Sequence, residues 1–311
     1  GGRMLAYVIQ RVLQGIVVIF LVSFATFAIL QLAPGSPVDI LIGEAQVSQA
    51  QIDAIERKWG LDKPWYVQYG TWLGNVVQLD FGQSVIRTGT PVSQMVMEAA
   101  PATLRLNAMS LGLSLLVALP LGIFAAVRRH SFFDYASTFG STLGVAVPNY
   151  WLGLMLIILF SLWLGWLPSY GSDGWRSAIL PVSVLAAEEM AILARLSRGA
   201  TLEVLNQDHV TTARAKGLSR GAVLRRHVVR NALLPIVTVL GYRIAFILSG
   251  TIVIETIFSW SGIGRLFIDS IYRLDYQVVQ AIVLLLATIV VVVNLLTDLA
   301  YAYIDPRIRL Q

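Results

Sequence analysis

Apolar positions along this chain come in long unbroken runs, not in the one-sided period of a half-buried helix or strand. From Val12 to Val38 no charged residue occurs, and a bilayer-spanning helix needs about 20 mostly apolar residues, so a first span is predicted near Val8–Leu32. A second reads Leu106–Val127, and a third lies inside the uncharged run Ala136–Ser172. The fourth, near Ile179–Ser197, contains Glu188 and Glu189; the fifth, Leu233–Ile254, contains Arg243; the sixth runs about Val278–Tyr303. The pattern therefore predicts an all-α polytopic membrane protein with six transmembrane helices.

Between the first two spans, Ala33–Pro101 is polar and too long for a turn. Ser48 followed by Gln51 resembles a capping box, and Gly60 stands where a helix would end. Pro64 opens a second helix through about Val77, carrying Trp65, Tyr66, Tyr69 and Trp72. This region reads as a small helical cap on the outer face, with aromatics at headgroup level; docking of a soluble partner is the functional alternative.

Composition agrees with the runs. The chain is 56% hydrophobic and 13% charged, against about 25% charged for an ordinary soluble domain, and its mean hydropathy is +0.70. Cysteine is absent, so no disulfide framework or thiolate metal site can be drawn. His130, His209 and His227 lie away from carboxylate clusters, and no metal site is expected. No G-x-x-x-x-G-K-[ST] occurs, and nothing resembles a nucleophile beside a base, so no catalysis is expected of this chain alone. Gly1–Arg3 ahead of Met4 is set aside as a possible remnant, and a cleaved signal peptide is not expected because the first apolar run is too long.

Lys and Arg set the orientation. With the N-terminus inside, fourteen fall on cytoplasmic loops and seven outside, most of the latter in the long first loop. That is the bias the positive-inside rule requires, and it puts both termini in the cytoplasm.

One cytoplasmic stretch is more than a topology signal. Thr211–Pro235 carries six Lys/Arg and no acid. Asp208 is a suitable N-cap, His209–Lys216 is helix-compatible, and Gly217 can supply a left-handed C-terminal position. Arg214 and Lys216 then meet the negative end of the helix dipole. Ser219 caps a second, basic helix that leads to Pro235 and the fifth span. Ala213, Ala215 and Gly217 give the short helix a small face for close approach by another backbone or side chain. A helix of some two turns is too short to stand without a partner.

Charges at mid-bilayer cost about 2.5–3.5 kcal/mol each on insertion scales, so they face partners or a cavity. At about 1.5 Å per residue, Glu188 lies roughly 13 Å into its span and Arg243 roughly 16 Å into the other. One of Glu188 and Glu189 is thus expected to pair with Arg243, leaving the other to face a pathway or a neighbouring subunit. Asn294 and Asp298, four apart, are expected to make interhelical hydrogen bonds near the inner surface.

The stretch "DHVTTARAKGLS…RRHVVRNALLP" resembles the cytoplasmic loop of binding-protein-dependent ABC importer permeases of the dipeptide/oligopeptide/nickel branch. "QLAPGSP", "GLDKPWYVQYGTWL", "LDFGQS", "PATLRL", "IVIETIFSWSGIGRL" and "NLLTDLAYAYIDPRIR" extend the likeness over nearly the whole chain. Departures include Leu79 where glycine is usual, Ser36 where aspartate is usual, His209 where an aromatic is usual, and Ser261 and Gln277 in place of prolines. The resemblance implies a type I importer permease fold over 4–311, with 33–101 external and 199–232 forming the coupling loop. It implies that Asp208, Thr211, Thr212, Ala213, Arg214, Ala215, Lys216 and Gly217 dock into a cytoplasmic ATPase. It further implies a second homologous permease, two ABC ATPase subunits that bind the ATP and Mg, an external solute-binding protein, and a bacterial inner membrane. Small peptides are the expected cargo; nickel, glutathione or oligosaccharide are alternatives within the branch. An ion-coupled carrier using Glu188, Glu189 and Arg243 as a relay is the rival from another class, and it leaves the basic loop without a role.

Overall fold

A computed structural model describes residues 2–35, 38 and 49–304, without the side chains of 2–5, 51, 55, 58, 241–250 and 300–304. Among the described residues the chain is helical, with one isolated bridge between Gln83 and Pro91. We number the helices α1 (Gly2–Leu32), α2 (Gln49–Trp59), α3 (Trp65–Val77), α4 (Val92–Val127), α5 (Phe132–Ala146) and α6 (Asn149–Leu156, continued as a π-helix over Ile157–Trp163). Then come α7 (Trp175–Leu205), α8 (Asp208–Ala215), α9 (Arg220–Val223), α10 (Arg230–Ile257), α11 (Ile263–Tyr272) and α12 (Tyr276–Ile304). A π-helix over Leu224–Val229 joins α9 to α10 without a break.

The chain forms two compact units, residues 1–101 with 262–311, and residues 102–261. In the first, α1 lies along α12 so closely that a Cβ on Gly15 would come within 2.6 Å of Val291 Cγ1. Arg11 Nε and Asp298 Oδ2 meet at 3.2 Å across the same pair, which gives Asp298 the interhelical role expected of it. Ser23 and Tyr69 share a hydroxyl hydrogen bond of 2.9 Å, and Phe27, Tyr69, Trp72 and Leu284 form one apolar cluster. The aromatic helix starting after Pro64 therefore packs on α1 and α12 through Tyr69 and Trp72, while Trp65 and Tyr66 stay exposed. Asp275, 2% exposed, accepts hydrogen bonds from the Ser84 hydroxyl and from Val85 N, the latter at 3.2 Å.

In the second unit α7 is central: half of its most apolar window is buried, against 17% for α1. Two glycines set its neighbours' approach. A Cβ on Gly122 would meet Ala194 O at 2.5 Å, and one on Gly144 would meet Ala191 Cβ at 2.7 Å.

Four helices among the described residues are long and apolar enough to cross a membrane, and a fifth crossing is possible as a bent pair. The predicted span Leu233–Ile254 falls inside α10, where the side chains of 241–250 lie outside the described residues, so six spans remain compatible. The uncharged run Ala136–Ser172 is not one straight helix. It covers most of α5 and all of α6, which are bent by 100° about Val147 and Pro148. Pro148 has no N–H to give and biases Val147 toward extended backbone, and Val147 adopts φ −85°, ψ 120°. The second predicted span is the end of a 36-residue helix that starts at Val92, well inside the polar region Ala33–Pro101. Gly60 does end α2, with φ 68°; the Ser48–Gln51 capping box lies outside the described residues.

Candidate functional site

The loop between α7 and α10 is built on a small apolar patch. On α8, Val210 and Ala213 are three apart and therefore share a face. They are 0% and 5% exposed and pack with Ala200 and Val204 of α7, and with Val223, Val228 and Ala232 on the continuous α9–α10 rod. The short helix is thus clamped to both long helices that flank it. Its remaining residues, Asp208, His209, Thr211, Thr212, Arg214 and Ala215, are exposed, as are Lys216 and Gly217 beyond its end.

Two expectations change. Asp208 is the first helical residue and not the cap: Gln207 holds the N-cap position and makes no side-chain cap bond. Asp208 still places its charge in the first turn, where the dipole favours it. Ala213 is not on the outward face; its methyl fills the patch beneath the helix, so the partner this short helix needs is first of all its own chain. The other signals hold. Gly217 has φ 81°, and Ser219 Oγ accepts from Ala222 N as an N-cap. The His209 and His227 rings lie 6.4 Å apart, and Asn231 Nδ2 is 3.3 Å from His209 Nε2.

Within the helical layer, Glu188 and Glu189 sit half-buried on α7. Asn149, the first residue after the bend, donates from Nδ2 to Glu188 Oε2 at 2.6 Å. The break at Pro148 thus brings a polar side chain to the acid. Glu189 also has a partner. The Arg243 side chain, and with it the expected ion pair, lies outside the described residues.

Two polar arrangements of this unit escaped the sequence reading. Asp134, 3% exposed, is held by Arg198 through paired contacts, Nε to Oδ1 at 2.5 Å and Nη2 to Oδ2 at 3.0 Å. Asp134 Oδ2 also accepts from His130 N, and Ser131 Oγ accepts from Asp134 N. The spacing Ser131-x-x-Asp134 ahead of an apolar run is a local signal of a helix N-terminus. Glu255, fully buried, accepts from Thr103 Oγ1 at 2.7 Å. Nearby, Trp260 Nε1 donates to Ala102 O at 2.9 Å while the Arg105 guanidinium lies over the Trp260 ring. No local pattern distinguishes Glu255 from an end-of-span acid. Among the described residues no group of three His, Cys, Asp or Glu forms a metal site.

Long apolar helices, buried polar pairs between them and a clamped polar loop with an outward helix define an α-helical polytopic membrane protein. The profile of the binding-protein-dependent transport system inner membrane component matches residues 118–310, and that family's N-terminal membrane component profile matches residues 4–107. The oligopeptide transport system permease protein AppB of Bacillus subtilis is 44% identical, with 98% of this chain and 100% of that protein covered. The dipeptide transport system permease protein DppB of Alkalihalophilus pseudofirmus is 38% identical, with 98% and 100% covered. The glutathione transport system permease protein GsiC of Escherichia coli O1:K1 / APEC is 39% identical, with 98% and 99% covered. A crystal structure of an amino acid ABC transporter with histidines superposes with a TM-score of 0.50 at 17% identity, covering 69% of this chain and 94% of that one; it speaks for the fold alone. The chain belongs to the family of binding-protein-dependent transport system inner membrane components, and is a permease subunit of an ABC importer.

Proposed function

We propose that this permease forms half of a translocation pathway for small peptides, brought to its outer face by a solute-binding protein and driven through the loop Asp208–Gly217 by ATPase subunits. The observation that carries the coupling role is the clamp: Val210 and Ala213 bind α8 to the end of α7 and to the α9–α10 rod. Force applied to the outward face of α8 therefore reaches two long helices through close-packed contacts, which transmit displacement instead of absorbing it. Thr211, Arg214 and Ala215 present that face, with Asp208, Thr212, Lys216 and Gly217 around it. Peptide cargo is supported by the names of relatives that match over their whole length, glutathione itself being a small peptide. In this reading a second homologous permease completes the pathway, two ATPase subunits hold the ATP and Mg, and this chain performs no catalysis. Both termini and the loop 199–232 face the cytoplasm of a bacterial cell, and 33–101 faces outward.

The test uses the assembled transporter in proteoliposomes. Ala215→Asp and Arg214→Glu change only outward side chains, so both variants insert and assemble their spans normally. Peptide uptake should fall roughly tenfold or more, the equivalent of about 1.4 kcal/mol of lost interaction, with loss of either ATPase association or transport-coupled hydrolysis. Normal association with normal nucleotide-driven uptake in both variants refutes the coupling role. Orientation is read independently by introducing single cysteines into this cysteine-free chain: an impermeant thiol reagent applied to intact cells should label Gln78→Cys and spare Ser219→Cys.

A further inference from the structure

The first unit holds a cavity of about 320 Å³ lined by α1, α3 and α12, by the end of α2 with the turn to Lys63, and by the segment 80–83. That is room for about ten waters at about 30 Å³ each, and it falls at the small end of ligand pockets. Its wall is rich in side-chain amides. Gln280 is the telling one: it is 6% exposed, it lines the cavity, and its side chain makes no hydrogen bond among the described residues. Asn75 and Gln83 on the same wall likewise have no side-chain partner among the described residues. Deeper in the wall, Trp72 Nε1 and Gln277 Oε1 are buried without a partner. Buried polar groups are nearly always satisfied, so the unpaired amide of Gln280 on the cavity wall, with the solvent-exposed amides of Asn75 and Gln83 beside it, describes a surface prepared for polar contacts.

Gly82 admits this arrangement. At φ 75°, a Cβ there would fall 2.0 Å from Gln277 Oε1, so any other residue would drive the Gln277 amide from its place. Two opposite charges also line the cavity. Lys63 is exposed and has no ion-pair partner among the described residues; Asp80 spends Oδ1 on Gly82 N at 2.9 Å and keeps Oδ2 open. Side-chain amides pair with peptide groups through one donor and one acceptor at a time. A carboxylate and an ammonium group on one rim suit the two ends of a zwitterion.

We infer that this cavity is a binding site for a short zwitterionic peptide, its backbone held by the amides of Gln280, Asn75 and Gln83, its amino end by Asp80 and its carboxylate by Lys63. The inference rests on the peptide reading of the transporter and places a holding site for cargo on the permease itself.

The probe is dialanine, titrated into the full-length permease in nanodiscs without binding protein or ATPases and followed by saturation-transfer NMR and calorimetry. Saturable binding is expected. Gln280→Met, close in shape but unable to hydrogen-bond, should weaken it about tenfold or more, equivalent to about 1.4 kcal/mol. Asp80→Asn should weaken dialanine but leave N-acetyl-dialanine unchanged, and Lys63→Gln should weaken dialanine but leave its C-terminal amide unchanged. Equal monodispersity and melting temperature of the variants show that they fold. Absence of saturable binding, or equal affinity in wild type and Gln280→Met, overturns the site. Peptide uptake by the assembled transporter separates the two readings: uptake with no binding here rejects the cavity alone, while binding with no uptake of any peptide rejects the transport assignment alone.

Discussion

Arg198→Met tests what the buried pair with Asp134 is worth. In the wild type, Asp134 is 3% exposed and takes two contacts from the Arg198 guanidinium and one, at 3.0 Å, from His130 N. Removing the guanidinium leaves a buried carboxylate with one backbone donor. Breaking one side of such a pair costs about 3–5 kcal/mol. The carboxylate sits in the first turn of α5, where the helix dipole returns about 0.3–1 kcal/mol. The net loss is then about 2–4 kcal/mol, and at about 2–4 °C per kcal/mol for a domain of 150–250 residues the melting temperature should drop by roughly 5–15 °C. Met keeps the aliphatic stem, so lost packing contributes little. The assay is thermal unfolding of the purified full chain, followed by tryptophan fluorescence. Asp134→Asn keeps an acceptor for His130 N while removing the charge, and the double variant Asp134→Asn/Arg198→Met should recover much of the loss. If Arg198→Met melts within about a degree of wild type, or if the two changes are simply additive in the cycle, the pair does not hold α5 to α7.

Three further outcomes follow from single positions. Leu79 is 79% exposed with φ 63°, so Leu79→Gly should stabilise the chain by up to about 1 kcal/mol by relieving a left-handed residue; a lower melting temperature would contradict this. Gly122→Ala sets a Cβ 2.5 Å from the Ala194 carbonyl, an overlap with backbone that must part α4 from α7, and should cost about 1–3 kcal/mol in thermal stability; unchanged melting would show that the helices yield freely. Ala213→Asp buries a charge in the patch under α8, so limited trypsin digestion should cut at Arg214 and Lys216 several-fold faster while the long helices remain intact; an unchanged cleavage rate would mean that α8 does not depend on its clamp.

Much of the architecture was legible because apolar runs of spanning length have few alternatives. Caps and glycines placed short-range features well: Pro64 before α3, Gly60 after α2, Ser219 ahead of α9 and Gly217 at φ 81° were each readable from local chemistry. What escaped depended on three-dimensional partners. Hydropathy sums over a window, so the run containing Pro148 scores as one span although the chain turns by 100° there. The tie between Asn149 and Glu188 exists only because of that turn. The carboxylates of Asp134 and Glu255 are buried against groups 64 and 152 residues away, and no periodicity reports separations of that kind.

The loop helix shows the same limit at closer range. Small residues at 213, 215 and 217 signal close approach, but a sequence does not say by what. Ala213 turns toward the patch formed by Ala200, Val204, Val223 and Val228, whereas Ala215 and Gly217 turn away from it. Two turns of helix cannot hold themselves together in water, so Val210 and Ala213 must be spent on anchoring. In the coupling role proposed above, recognition would then fall to Thr211, Arg214 and Ala215, on the exposed side. The division also explains why one face must be small: Ala213 lets α8 lie close on the two rods it packs against, and a bulkier residue there would lift the helix off the elements it would have to move in the proposed coupling role.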